Sequence, residues 1–186
     1  MRIIAGRFRG AKLQSPEGED TRPTADRARE ALFNLLVHGK FAHLLKGGRI
    51  ADVFAGTGSI GLEALSRGAA EAVFVEKHKP ALTALKANID KCRARDNCTI
   101  VTRDATAPGR AASPCDIVFL DAPYRQNLSE PALLALLDNG WLAEGGLVIV
   151  QTDPKESFTP PETLTVVDER KYGAARLYFM TAVDQD

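Results

Sequence analysis

"RIADVFAGTGSIGLEALSRG", residues 49–68, decides the fold. The apolar run 49–54 reads as a strand, and "SIGLEALSRG" reads as a helix closed by Gly68. Between them lies a G-x-G-x-x-G formed by Gly56, Gly58 and Gly61. That spacing is weak by itself and gains meaning from its place between a strand and a helix. Glycines let the backbone turn tightly and approach a ligand closely. The helix that follows turns its free N–H groups to the same spot.

The same alternation continues outward. "EAVFVE" (71–76), "CTIVT" (98–102), "CDIVFLD" (115–121) and "GLVIVQT" (146–152) read as strands. "KPALTALKANIDKCRAR" (79–95), with Pro80 in its first turn, and "SEPALLALLDNGWL" (129–142) read as helices. The stretch from 103 to 114 is poorly patterned. Upstream, "RPTADRAREALFNLLVHG" (22–39) predicts a helix with Thr24 as N-cap, Ala28, Leu32, Leu35 and Leu36 on one face, and Gly39 as its stop. Five apolar strands alternating with helices predict an α/β, doubly wound, mainly parallel sheet. "ETLTVVDERKYGAARLYFMTAV" (162–183) breaks the alternation. It reads as a hairpin around Gly173 that adds two antiparallel strands at one edge, for seven in all.

A chain of 186 residues is one domain with room for a small appendage. Residues 23–186 are expected to form the main domain and residues 1–22 an N-terminal arm. The first twelve residues carry Arg2, Arg7, Arg9 and Lys12 and no acid. They suit either two short strands about Gly6 or Gly10 or a solvated, flexible arm. Lys and Arg number 24, as do Asp and Glu, so any nucleic-acid surface must be a local patch. Cys92, Cys98 and Cys115 are odd in number and lack C-x-x-C spacing, and His38, His43 and His78 add no ligand pattern. Neither a disulfide framework nor a metal site is expected. The N-terminus lacks a long apolar run, so the cytoplasm is the expected location. A monomer is the default expectation.

The acids around the glycine loop narrow the ligand. A pyrophosphate would be repelled by a carboxylate at the strand's end, where Asp52 stands four residues before Gly56. An ammonium or a sulfonium-bearing amino acid would be attracted. Asp52 therefore favours S-adenosylmethionine over NAD. Glu76 ends the second strand, the place for an acid that accepts hydrogen bonds from ribose hydroxyls. Asp104, after the third strand, suits either the adenine amino group or plain solvent. The expected cofactor-binding set is Asp52, Phe54, Gly56, Gly58, Gly61, Glu76, Asp104 and Ala105.

The fourth strand ends in "FLDAPY". Ligands of an open α/β sheet sit outside the carboxyl ends of its strands, near the point where strand order reverses. Asp121-Ala122-Pro123-Tyr124 is expected there, facing a bound methyl group.

"DVFAGTGSIGLEALSRGA", "VFVEKHKPALTALKANI" and "FLDAPY", in that order, resemble amino-methyltransferases with an Asp-Pro-Pro-Tyr-type motif. More narrowly, "MRIIAGRFRGAKLQSP", "RPTADRAREALFNLL" and "RKYGAARLYF" resemble the RsmD family, across nearly the whole chain. The resemblance implies a Rossmann-like class I methyltransferase that uses S-adenosylmethionine and methylates N2 of a guanine in small-subunit (16S) ribosomal RNA. It implies that the Asp121 carboxylate and the Ala122 carbonyl accept the two amine N–H bonds, with Pro123 shaping the turn and Tyr124 stacking on the base. It turns Arg2, Arg7, Arg9, Lys12 and Arg22 into an expected RNA contact, the partner being ribosomal RNA alone or within an assembling subunit. Arg22 and Arg27 suit RNA, the cofactor carboxylate or a helix salt bridge equally. Ala122 departs from the motif, where proline would hold the backbone more rigidly. The alternatives are adenine N6 or glutamine as the methyl acceptor, an NAD-dependent oxidoreductase, and a non-catalytic RNA-binding protein. Glutamine enzymes have Asn where Asp121 stands, and no catalytic His or Tyr-Lys pattern supports the oxidoreductase.

Overall fold

The computed structural model describes residues 1–16, 23–124 and 126–183. The elements are α1 (Pro23–His38), α2 (Ala42–Leu45), β1 (Arg49–Val53), α3 (Ser59–Ser66), β2 (Glu71–Val75), α4 (Lys79–Lys91), β3 (Cys98–Val101), β4 (Cys115–Asp121), α5 (Ser129–Asp138), β5 (Leu142–Thr152), β6 (Leu164–Tyr172) and β7 (Ala175–Ala182). They build one seven-stranded sheet in the order β3-β2-β1-β4-β5-β7-β6. The pairs from β3 through β5 are parallel, and β7 pairs antiparallel with both β5 and β6. The class and the C-terminal hairpin are as the alternation predicts.

Alternate strand residues face opposite cores, which explains the unbroken apolar runs. Ile50, Phe74, Ile117, Phe119 and Ile149 pack under α1, α3 and α4. Val53, Val75, Val118, Leu120 and Val150 pack against Leu133 and Leu136 of α5 and against Trp141. The chain runs outward from β1 to β3 and returns to place β4 on the other side of β1. That reversal opens a crevice at the carboxyl ends of β1 and β4. Asp52 pairs with Phe119 and Val53 with Leu120, so Asp52, one residue before the end of β1, lies on the strand beside the one that Asp121 ends.

Several boundaries differ from the sequence reading. Pro23 is the first helical residue, so Thr24 falls within the first turn of α1 rather than capping it. β1, β2 and β3 each stop one residue earlier than read, leaving Phe54, Glu76 and Thr102 in loops. α4 ends at Lys91, where Arg93 takes a positive φ of 51°, and a separate 3-10 turn spans Arg95–Asn97. α5 ends at Asp138 because the Gly140 N–H bonds the Leu137 carbonyl and the Trp141 N–H bonds that of Leu136, a Schellman closure. β5 then starts at Leu142. The two short N-terminal strands reduce to a single antiparallel bridge between Arg2 and Lys12. Ile3 and Leu13 beside that bridge belong to the core under α1.

Among the described residues no helix is long and apolar enough to cross a membrane. The three cysteines are free, and burial pushes the Cys98 thiol up to about 12 and the Cys115 thiol to about 11.

Candidate active site

The glycine loop is held from below. The Asp52 carboxylate, almost fully buried, accepts the Gly61 N–H at 2.9 Å and so fixes the first turn of α3 against the end of β1. Burial pushes this carboxyl up to about 7; the Gly61 bond opposes the rise, and the charges of Asp121 and Glu76 add to it. Gly56 and Gly58 turn at φ of 55° and 77°, conformations that side chains disfavour. Gly61 is required for space: a Cβ there would strike the Phe74 ring, with Cζ at 2.7 Å. A Cβ on Gly56 would meet nothing within 4 Å, so that glycine serves the turn and an open approach to the backbone.

Glu76 lies just beyond β2 and accepts N–H bonds from Gly56 (2.9 Å), Lys77 (2.9 Å) and His78 (2.7 Å). A carboxylate offers about four lone-pair sites, so one remains for a further donor. Asp104 pairs with Lys77 at 2.6 Å and with the Thr106 N–H and hydroxyl. The Lys77 bond, then the Thr106 bonds, hold it down at about 2, firmly ionised. The Ala105 side chain is buried in the α5-side core, so only its backbone is free for a ligand. Phe54 packs partly buried against the same core at a positive φ of 60°. Asp52, Glu76 and Asp121 thus gather negative charge at the sheet's carboxyl edge. That charge suits a cationic ligand carrying a diol and opposes a pyrophosphate.

Across the crevice, Asp121 ends β4 half-buried and lines a pocket of about 260 Å³. Burial pushes its carboxyl up to about 7, opposed by the neighbouring Gln151 side chain. Ala122 is buried, Pro123 is exposed, and Tyr124 is 43% exposed with its ring at the pocket. Arg29 and Leu32 of α1, Ile60 of α3, Gln151 of β5 and Tyr172 of the C-terminal hairpin complete the walls. The site brings together an acceptor, an aromatic face and an apolar lining.

The N-terminal segment meets α1, α3 and α4 beside the glycine loop. Glu63 of α3, fully buried, accepts the N–H groups of Ile4 (2.8 Å) and Ala5 (3.1 Å) and pairs with Arg67 (2.7 Å). Arg29 donates to the Arg2 carbonyl at 2.6 Å. Asn88 of α4, also fully buried, accepts from the Gln14 N–H and donates to the carbonyls of Gln14 and of Thr57 in the glycine loop. Arg2, Arg7, Arg9 and Lys12 remain exposed. Arg27 is exposed on α1, and Arg22 lies outside the described residues.

Glu63, Asn88, Arg29, Gln151 and Tyr172 were not legible as site residues. Glu63 did carry a signal, being the one acid within the apolar helix "SIGLEALS". Gln151 carried a fainter one, a carboxamide at the end of an apolar strand. Among the described residues no group of three or more His, Cys, Asp or Glu side chains is disposed to hold a metal.

Known proteins resemble this chain in sequence and fold. A family model described as Conserved hypothetical protein 95 matches residues 1–181. Ribosomal RNA small subunit methyltransferase D of Escherichia coli (strain K12) is 38% identical over 182 residues, covering 96% of this chain and 89% of that protein. The Haemophilus influenzae protein of the same name is 37% identical over 185 residues, covering 96% of this chain and 93% of that protein. The solved structure of yhhF from Escherichia coli superposes with a TM-score of 0.85 at 36% identity, over 100% of this chain and 99% of that one.

Proposed function

This chain belongs to the RsmD family of small-subunit ribosomal RNA methyltransferases, and from that premise we propose that it transfers a methyl group from S-adenosylmethionine to the exocyclic N2 of a guanine in 16S ribosomal RNA. The observation that carries the finer reading is the placement of Asp121 and Tyr124 in one pocket beside the glycine loop.

The bound cofactor would supply an electrophilic methyl group on a sulfonium sulfur. Glu76 is the acceptor suited to its ribose, with the Gly56–Gly58 backbone and Asp104 alongside. An aromatic amine is a poor nucleophile because its lone pair is delocalised into the ring. The Asp121 carboxylate and the Ala122 carbonyl each accept one N–H. That favours a pyramidal nitrogen whose lone pair points across the crevice. With the cofactor's methyl group taken up by the nitrogen, the proton that the amine sheds would pass to Asp121 or to solvent. Asp121, held near neutrality, exists in both the accepting and the protonated form at ordinary pH. Tyr124 offers its exposed ring to a base already out of its helix.

Arg2, Arg7, Arg9 and Lys12 make up an exposed basic edge suited to RNA phosphates, contacts that position without reading sequence. This edge and the core share one segment, because Ile3 and Leu13 are buried. Deleting residues 1–20 would therefore test folding, not RNA binding alone. Charge reversal of Arg7 and Arg9 keeps the core and isolates the phosphate contacts. The reading places the enzyme in the cytoplasm, acting as a monomer on ribosomal RNA alone or within an assembling subunit.

The test is methyl transfer from labelled S-adenosylmethionine to undermodified 16S ribosomal RNA, naked and in assembled subunits. Label on guanine N2 with wild type, lost in Asp121→Ala, is the expected result. Label on another atom, or equal labelling by the variant, overturns the proposal.

A further inference from the structure

Gln151 is the least expected side chain in the pocket. It stands one residue before the end of β5, half-buried, after Leu147 to Val150, which are all fully buried and apolar. A half-buried carboxamide that lines a pocket is best satisfied when its donor and acceptor groups are both used. The ladder fixes where it points. Gln151 is paired in register with Asp121 on one side and with Leu177 on the other, so its backbone is held by two strands. Residues paired in this way project to the same face of a sheet. Gln151, Asp121 and Tyr124 accordingly line the same pocket. Gln151 thus lies within reach of both the Asp121 carboxyl and the Tyr124 hydroxyl, and its side chain draws both titrations down.

Resting on the amine-methyltransferase reading above, we propose that Gln151 is a positioning residue that joins Asp121 and Tyr124 into one rigid clamp. The chemistry of the three groups sets the direction of each bond. An ionised carboxylate only accepts, so the amide NH2 must face Asp121. The amide oxygen is then left for the Tyr124 hydroxyl, which donates to it. One Asp121 oxygen is taken by Gln151, and the other is presented to the substrate amine. The phenol is tethered at its oxygen, so the ring keeps one orientation while its face stays open to the base. Without Gln151 both side chains keep their rotamer freedom, and a displacement of about 1 Å at a reacting group can cost on the order of 100-fold in rate.

The charge environment gives the proposal its own readout. Among the described residues, Arg29 on α1, Met1, Tyr124 on the same loop and Tyr172 on β6 share the pocket with Asp121, and Asp52 on β1 lies close enough to feel its charge. Gln151 is a neutral donor among them that favours the ionised carboxylate. Its loss moves the Asp121 titration to higher pH. A purely structural role leaves that titration in place.

Gln151→Leu and Gln151→Glu test this, with Tyr124→Phe as the comparison. The leucine variant removes both bonds, and the glutamate variant replaces the donor facing Asp121 with an acceptor. Expected for Gln151→Leu are a kcat lower by about 10- to 100-fold, little change in cofactor affinity, and an acid limb of the pH–rate profile displaced upward. Gln151→Glu displaces the limb at least as far. Tyr124→Phe leaves the limb where it is in wild type. Titration of the Asp121 carboxyl carbon by NMR, which needs no RNA, shows the same upward displacement. An unmoved titration in both Gln151 variants overturns the proposal, as does equal loss of cofactor binding and turnover. A wild-type protein that fails to methylate RNA overturns the functional reading instead, and the NMR titration still decides whether Gln151 governs Asp121.

Discussion

Asp52 and Asp121 stand at the carboxyl-end side of adjacent strands of one sheet, and burial pushes both carboxyls up to about 7. Their surroundings otherwise differ. Asp52 is closed in, with an oxygen committed to the Gly61 N–H. Asp121 is half-buried, faces a pocket, and is opposed only by a neutral carboxamide. The difference teaches that a raised carboxyl alone does not mark a reacting group. The first acid braces the glycine loop through the Gly61 N–H, and the second faces the pocket, where the proposed reading has it accept a substrate N–H.

The sharpest way to break that comparison is to remove each acid in turn. Asp121→Ala should lower methyl transfer by about 10²- to 10⁴-fold while cofactor affinity, read by calorimetric titration, stays within about threefold. Asp52→Asn keeps an acceptor oxygen for Gly61 and should cost far less turnover. If it instead abolishes cofactor binding, Asp52 contacts the cofactor directly and the contrast fails.

Next in size is the loop itself. Gly61→Ala drives a methyl group into Phe74 and should destabilise the fold by about 1–3 kcal/mol, seen in denaturant unfolding, with weakened cofactor binding.

A smaller effect concerns pH. The folded-state value of Asp121 is about 7 against an unfolded 3.8, so the folded protein holds that proton more tightly. Its contribution to stability is complete below the unfolded value and is lost as pH rises through about 7. Asp121→Asn should therefore raise the melting temperature relative to wild type more at about pH 8 than at about pH 5. An equal difference at both would show the carboxyl is not shifted.

The smallest effect is expected at the departure from the motif. Ala122→Pro keeps the carbonyl and stiffens the turn, and should change kcat by less than about tenfold, below the loss in Asp121→Ala. A larger loss would mean that the buried Ala122 pocket has no room for the ring.

The parallel sheet was readable because buried strands and flanking helices each impose a local period. The glycine loop was readable as a strand–turn–helix and "FLDAPY" as a strand running into an acid and a proline, because both are local patterns. Helix ends were read less well, since Arg93 and Pro23 override the simpler stop and cap signals. The N-terminal segment showed only its charge. That Ile3 and Leu13 lie in the core depends on Glu63 and Asn88, which lie far along the chain from the backbone groups they hold.

By itself the sequence determined the layer architecture and put Asp52 and Asp121 at or next to the carboxyl ends of neighbouring strands, because these follow from short-range pattern. Only the tertiary structure decided which acid is locked and which is open, and which distant side chains hold them. Those outcomes depend on burial and on register between strands, here Asp121 against Gln151 across 30 residues of chain, and no local pattern encodes them.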